Sequence, residues 1–439
     1  MSTKWRNWAG TASATPARWY RPASVDEISA AVKTAASAGL NVRALGSGHS
    51  FTAIAACDGA VLDLSRWTGV VASDPASGVV TVRSGTTIRA LNTALDGLGL
   101  AMANLGDIDA QTIAGALATG THGTGATQGG LATQALGFEL VLADGSVVSC
   151  SASTRPSLFA AARVGLGALG VVSTVTLQCV SVFSLVADES PEPLEEVLAS
   201  FHDLAADNDH FEFYWFPYGQ KALVKRNNRV PAEASADLPP PLAPFRRFWE
   251  FEVMENAAFG SLCRVGRRMP RLIPSLNRFA SAALSRRSYT AVSHEVFVTP
   301  RKVRFVECEY GVPRESLLDV LAELRRAVPR LPAPVMFPVQ VRVAPADDIW
   351  LSTASGRDSG YIAIHQYVGL PYQPYFDVLE SIVASVGGRP HWGKMHSLEA
   401  GRLRELYPHF EDFCRVRLEV DPEGLFLNPY LRRVLGVEP

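Results

Sequence analysis

The sequence predicts an α+β protein of more than one domain, and three observations carry that reading. An amphipathic helix and a short strand run straight into a Gly-Ser-Gly turn; two more glycine-rich loops follow before residue 183; beyond it the text turns aromatic, strand-like and proline-rich. A chain of 439 residues also exceeds one core, at the usual ~100 to 200 residues per domain.

The elements follow in order. "SVDEISAAVKTAASAG" predicts the helix: Ser24 caps it, Asp26 and Glu27 suit its positive end, apolar residues recur at helical spacing and Gly39 stops it. "LNVRAL" then reads as a strand. "GAVLDLSRW", "GVVTVRSGTTIRALNTALDGLGLAM", "GFELVLADGSVVSCS" and "GALGVVSTVTLQCVSVFSLV" add strands, a glycine-terminated helix and a hairpin turn at "ADGS". A second domain is expected from about residue 183. There "FEFYWFPYGQKALVKRNNRV" has strand character, and "PAEASADLPPPLAPFRRF" reads as a proline-rich connection without regular structure. Strand-like "SHEVFVTPRKVRFVECEYGVP", a helix in "RESLLDVLAELRRAV", strands in "VMFPVQVRVAP" and "GYIAIHQYVG", and a helix in "YFDVLESIVASVG" then predict an antiparallel sheet backed by helices.

Bulk properties narrow the function. Hydrophobic residues make up 47%, charged residues 19%, and the formal charge is -2; no global basic bias points to nucleic acid. The first residues lack the basic and apolar regions of a secretion signal, and no stretch approaches the roughly 18 apolar residues of a membrane span, so a cytoplasmic protein is expected. Six cysteines are scattered without a CxxC pair or a Cys/His cluster, so neither a zinc site nor a disulfide framework is signalled, and no metal is expected. From Arg264 to Arg304 ten arginines or lysines face a single acid, Glu295, with Leu272, Ile273, Leu276 and Phe279 among them. That run is either a membrane-surface or partner patch or a solvated face.

Chemistry concentrates in four tracts. "VRALGSGHSFTAIA" leaves backbone N–H groups free to meet an anion such as a pyrophosphate, yet its spacing fits neither GxGxxG nor GxxxxGK[ST]. Taken alone, His49 is equally a turn or core histidine. "NLGDIDAQTIAGALATGTHGTGATQGG" and "VGLGALGVVSTVTL" supply two more polar glycine loops, and three such loops lining one crevice suit a large, flat, phosphorylated ligand. "GGRPHWGKMHSL" clusters His391, Trp392, Lys394 and His396. In "VQVRV", alternation puts Gln340 and Arg342 on one face of a strand, which either meets solvent or floors a polar pocket.

"LGSGHSF", "ATGTHGTG", "GALGVVSTVTL" and "RPHWGK", in this order, closely resemble the vanillyl-alcohol-oxidase-type flavoproteins, and within them the aldonolactone oxidoreductases, which include gulonolactone, arabinonolactone and alditol oxidases. The resemblance spans nearly the whole chain. It implies a PCMH-type FAD-binding domain over 1–182, a cap domain over 183–407, and a segment over 408–439 returning to the first. It implies FAD joined covalently to His49, with Leu45, Gly46, Ser47, Gly48 and Ser50 around the pyrophosphate. Further FAD contacts are implied for Thr112, Gly115, Ala116, Leu117, Ala118, His122 and Val172, with His391 approaching the flavin from the substrate side. Arg342 and Lys394 match the family's cations that bind substrate oxygens, and Asp107, His365 and Tyr367 are the implied substrate contacts. Gly106 matches a position where glycine leaves room for dioxygen, which implies an oxidase forming hydrogen peroxide, although some bacterial relatives use other acceptors. The implied substrate is a small sugar lactone or a polyol.

Two departures stand out. The family's glutamate two residues before the arginine is Gln340 here, and an amide is not a carboxylate base. Asp107 stands where alditol oxidases carry a serine, which favours a lactone over a polyol.

Overall fold

In the computed structural model, which describes residues 4–230 and 238–438, the predicted first helix forms over Val25–Ser37, and Ser24 Oγ accepts from the Glu27 amide. Its apolar stripe, Ile28, Ala31, Val32 and Ala35, covers a three-stranded parallel sheet ordered Arg18–Tyr20, Ala60–Asp63, Val42–Leu45. Beside it lies a five-stranded antiparallel sheet ordered Val147–Ser151, Ala135–Val141, Val171–Gln178, Val79–Arg83, Val70–Asp74. Its hairpin turns at Gly145, whose φ of +77° suits glycine.

The second part is one eight-stranded sheet, antiparallel throughout. Its order is Arg287–Val292, Ser184–Pro193, Lys221–Arg229, His210–Trp215, Val339–Ala344, Ser359–Tyr367, Phe305–Pro313, Arg389–Pro390. Strand alternation gives it two unlike faces. Phe211, Phe213, Val339, Val341, Ile362 and Ile364 point one way, into a core closed by helices Leu194–Ala199, Phe201–Ala206, Leu317–Ala327 and Gln373–Ala384. Phe201 meets Phe211 and Phe213 edge-on there, and truncating any of the three to alanine costs about 3–5 kcal/mol. The other face carries polar side chains toward the first domain.

Two expectations are corrected. The segment ending "PFRRF" is helical from Pro244: an α-turn over Pro244–Arg247, a π-helix over Phe248–Ala258 and an α-helix over Phe259–Arg268. Proline does not prevent this because Pro244 sits in the first turn, where its missing N–H has no partner to lose. Residues 231–237 of the proline-rich stretch lie outside the described residues. "SHEVF" is a short helix, Ser293–Phe297, and the strand begins only at Phe305. Leu403, Leu406 and Tyr407, in and beside helix Ala400–Leu406, pack into the same core as Phe410, Leu91 and Phe138, as does Trp392.

The tail is knitted to the opening glycine turn. Asn428 Nδ2 donates to the carbonyls of Ala53, Ile54 and Ala56 at 2.8–3.1 Å. The Val42 amide donates to Leu425 O, and Arg43 Nη1 donates to Phe426 O and Gly167 O. Among the described residues no helix is long and apolar enough to cross a membrane.

Candidate active site

Strand Val42–Leu45 delivers the chain into the turn Gly46–Ser50, where Gly48 adopts φ +71°. Among the described residues the amides of Ser47, Gly48, His49 and Ser50 make no hydrogen bond. Such a nest of free N–H groups fits an anion. The turn borders a cavity of about 1080 Å³, whose other walls include Thr112, Gly115, Phe138, Gly167 and Val172. The glycines are there for clearance. A Cβ on Gly46 would stand 2.7 Å from Thr112 Oγ1, the atom that caps helix Ile113–Ala118 through the Gly115 amide.

A second cavity of about 1200 Å³ lies between this turn and the polar face of the large sheet. His49, Ser50, Gln111 and Thr119 line both cavities, so His49 stands on their shared wall. Its Nδ1 lies 3.1 Å from Ser47 Oγ, and the Trp8 indole stacks on it at 5.9 Å. Burial, with the nearby Lys394 charge, lowers the His49 pKa, so the ring is neutral at neutral pH. The two halves meet directly: the Phe51 amide donates to Gly393 O at 2.7 Å.

Sheet register assembles the rest. Tyr214 pairs with Gln340, Gln340 with Ala363, and Glu307 with His365, so these side chains share the face toward the cavity. Gln340 Nε2 donates to Tyr214 Oη at 2.6 Å, to Glu212 at 2.7 Å and to Asp107 at 3.4 Å. Arg342 pairs with Asp107 through Nη2 and with Glu212 through Nε at 2.8 Å. Arg301 adds a contact to Asp107 at 3.3 Å. Against the upward push of burial, Arg342, Arg301 and Lys225 hold the Asp107 carboxyl well below the usual carboxylate range.

A second cluster is built on Glu307 and Glu309, two residues apart on one strand. Glu307 pairs with Lys394 and lies 3.4 Å from His365 Nε2. Despite burial, Lys394 and His365 bring its carboxyl down to about 2. Glu309 lies 3.2 Å from His122 Nε2 and 3.9 Å from Lys394. Burial, reinforced by Lys394, lowers His391 to about 3, so its imidazole is neutral. Its Nδ1 accepts from the Gly393 amide at 3.0 Å, which puts the proton on Nε2. His122, Glu309 and His391 are close enough to hold a metal ion, but a protonated Nε2 is no ligand and the Lys394 ammonium already answers Glu309.

The structure brings together most of the predicted residues. Leu45, Gly46, Ser47, Gly48, Ser50, Thr112, Gly115, Leu117, Ala118 and Val172 border the first cavity; Gly106, Asp107, Gln340, Arg342, His365, His391 and Lys394 border the second. Three fall elsewhere. Ala116 is fully buried in the core behind its helix, because one helical step past Gly115 turns it away. His122 lines the second cavity, stacked on Tyr361 at 3.8 Å, and not the first. Tyr367 is screened from the cavity by Phe337, whose ring stacks on it at 6.3 Å. The sequence reading missed Trp8, Glu212, Tyr214, Arg301, Glu307 and Glu309. A signal for four of these was present: "FEFYW" and "ECE" put polar residues at alternate positions inside otherwise apolar strands.

Comparison with known proteins agrees with this geometry. Residues 175–434 match the family model described as D-arabinono-1,4-lactone oxidase, and residues 16–151 match an FAD-binding domain. The chain is 42% identical over 436 residues to an L-gulono-1,4-lactone dehydrogenase of Mycobacterium tuberculosis, covering 99% of this chain and 100% of the relative. It is 34% identical to the L-gulonolactone oxidase of Mus musculus, with 98% of each covered, and 30% identical to an alditol oxidase of a Streptomyces species, with 99% and 100% covered. Among solved structures, a cholesterol oxidase from B. sterolicum superposes with a TM-score of 0.82 at 16% identity, covering 99% of this chain and 97% of that one; at that identity it speaks for the fold alone.

Proposed function

Because the chain belongs to the D-arabinono-1,4-lactone oxidase family of FAD-linked aldonolactone oxidoreductases, we propose that it oxidises a sugar-1,4-lactone of the L-gulono or L-galactono type, with FAD attached covalently through His49. The observation that carries this reading is the position of His49 on the wall common to both cavities, one fit for a phosphorylated cofactor and the other for a polar substrate. FAD, when bound, supplies the acceptor for the hydride leaving the carbon that is oxidised, with dioxygen as the final acceptor and hydrogen peroxide as its product.

The charge of the second cavity favours an uncharged, hydroxyl-rich substrate. Arg301, Arg342 and Lys394 line it together with Asp107, Glu307 and Glu309, and each cation already has a carboxylate. A free sugar acid would bring an unanswered carboxylate into a balanced site. A lactone offers hydroxyl and carbonyl oxygens that accept from Arg342 and Lys394 without breaking those pairs. The same two cations stabilise negative charge as the hydroxyl proton leaves. Asp107 and Glu307, held low by their partners, are weak bases at neutral pH, and Gln340 is none, so the proton passes to another group lining the cavity or to solvent.

Gly106 supports dioxygen as acceptor, since it borders the second cavity without a side chain. The 42% identical relative carries the name dehydrogenase, which favours a second reading in which another acceptor replaces dioxygen. Anaerobic mixing with panels of lactones, alditols and free sugar acids tests the substrate class: lactones bleach the flavin fastest and sugar acids leave it oxidised. Bleaching by alditols alone overturns the reading. Peroxide release in air, set against reduction of an artificial dye, decides the acceptor.

A further inference from the structure

The helical run Pro244–Ala282 presents an outer face that the site does not use. Of its helices, Phe259–Arg268 buries Gly260, Cys263 and Gly266, and Ile273–Ala282 buries Ile273, Asn277 and Ser281. Elsewhere along the run, on these helices and on the helical turns before and between them, large apolar side chains stand in the open: Phe245 is 78% exposed, Phe248 58%, Met269 56% and Phe279 63%, with Trp249 and Val265 also exposed. More than half of the large exposed hydrophobics among the described residues fall in this one segment, where isolated ones scattered over the surface would need no explanation.

The uncommitted charge of this run has one sign. Glu250, Glu252 and Glu255 are the acids of the run, and all three are committed to neighbours: Arg246 and Arg287, Lys302, and Arg287 respectively. Arg264, Arg268, Arg271 and Arg278 are exposed and, among the described residues, have no carboxylate within 4.0 Å. A second copy applied symmetrically would set these arginines against their equals with no acid to answer them.

We propose that this helical face docks peripherally on a bilayer containing anionic lipid, with Phe245, Phe248, Trp249 and Phe279 entering the interface and the four arginines meeting phosphate headgroups. Exposed aromatic rings and arginines gathered in one helical run are what an interfacial segment needs, and no helix among the described residues is long and apolar enough to cross a membrane. The inner side of the run carries Glu255, Asn256 and Phe259, which border the second cavity, so docking sets the lipid surface against the outer side of one cavity wall.

Sedimentation of the flavin-loaded protein with vesicles tests this. It pellets with phosphatidylcholine mixed with phosphatidylglycerol and stays in solution with phosphatidylcholine alone. Each arginine replaced, as in Arg264→Ala or Arg271→Ala, weakens partitioning about five-fold, and Phe279→Ser weakens it further. These variants keep the flavin absorbance and the lactone turnover of the parent, which shows that they fold. Failure to pellet with anionic vesicles at low salt, equal pelleting of the parent and of the variant lacking all four arginines, or a mass in solution that falls from dimer to monomer on Phe279→Ser would each overturn the proposal.

Discussion

Glu212 holds Arg342 from behind: its Oε2 lies 2.8 Å from the arginine Nε, while the arginine Nη2 faces Asp107 at the cavity. The same oxygen takes the Gln340 amide at 2.7 Å, so one carboxylate from the neighbouring strand fixes both side chains of the "VQVRV" motif.

Glu212→Gln removes the charge and leaves the shape. Arg342 then loses one of its two anchors, and a buried pair broken on one side costs about 3–5 kcal/mol. Turnover of the lactone is expected to fall at least about ten-fold, equivalent to about 1.4 kcal/mol of transition-state stabilisation, with KM raised and the flavin spectrum unchanged. Steady-state kinetics beside an absorbance scan measure both.

Replacing Gln340 with the glutamate that the family resemblance implies is expected to destabilise this protein. Gln340→Glu sets a carboxylate against Glu212 and Asp107 and removes the donor that now serves three acceptors. Stability is expected to fall by about 1–3 kcal/mol. The deficit shrinks as the pH is lowered and one carboxyl takes a proton, which thermal melts from neutral to mildly acidic pH would register; a variant as stable as the parent at neutral pH contradicts it.

Gly46→Ala is expected to lower flavin content, because the new methyl meets Thr112 Oγ1 at 2.7 Å and displaces the helix cap. In a Thr112→Ala background the obstacle is gone, and the effect of Gly46→Ala becomes smaller. Flavin-to-protein ratios across this double-mutant cycle read the coupling; strict additivity contradicts the clash.

Acid weakens the fold earlier than carboxylate titration alone would. His391 has its pKa lowered to about 3 by burial and by Lys394, against an ordinary 6.5. The unfolded chain therefore binds a proton that the folded chain refuses between those values, and stability falls as pH drops through that window. The slope is about 1.4 kcal/mol per pH unit for this group. Glu307, with a folded value of about 2 against 4.5, adds its loss only below pH 4.5. Denaturant melts of the parent and of His391→Asn should separate below pH 6.5, the variant showing the shallower slope.

His49→Ala is expected to release the flavin. After acid precipitation the parent keeps its yellow colour in the pellet, and the variant gives it to the supernatant. Colour in the parent's supernatant rules out the covalent link.

Much of the site was legible because its parts are local. The glycine turn, His49 and Thr112 are set by backbone demands written within a few residues, and the shared face of Gln340 and Arg342 follows from strand alternation alone. Glu212, Arg301 and Glu307 were not read because they reach the cavity through pairing between strands far apart in the chain, such as Tyr214 with Gln340 and Glu307 with His365. No local pattern specifies which strands become neighbours. Ala116 and Tyr367 show the reverse limit: each lies within two residues of a cavity residue, and one helical step or one intervening ring puts it out of reach.

Asn428 clasps the three carbonyls just beyond His49 from almost four hundred residues downstream. A ribosome makes the turn long before the asparagine that clasps it, so the turn is set only once residue 428 has emerged, while the sheets around it can already form. A chain without Asn428 is thus expected to carry the glycine turn with its three following carbonyls unclasped.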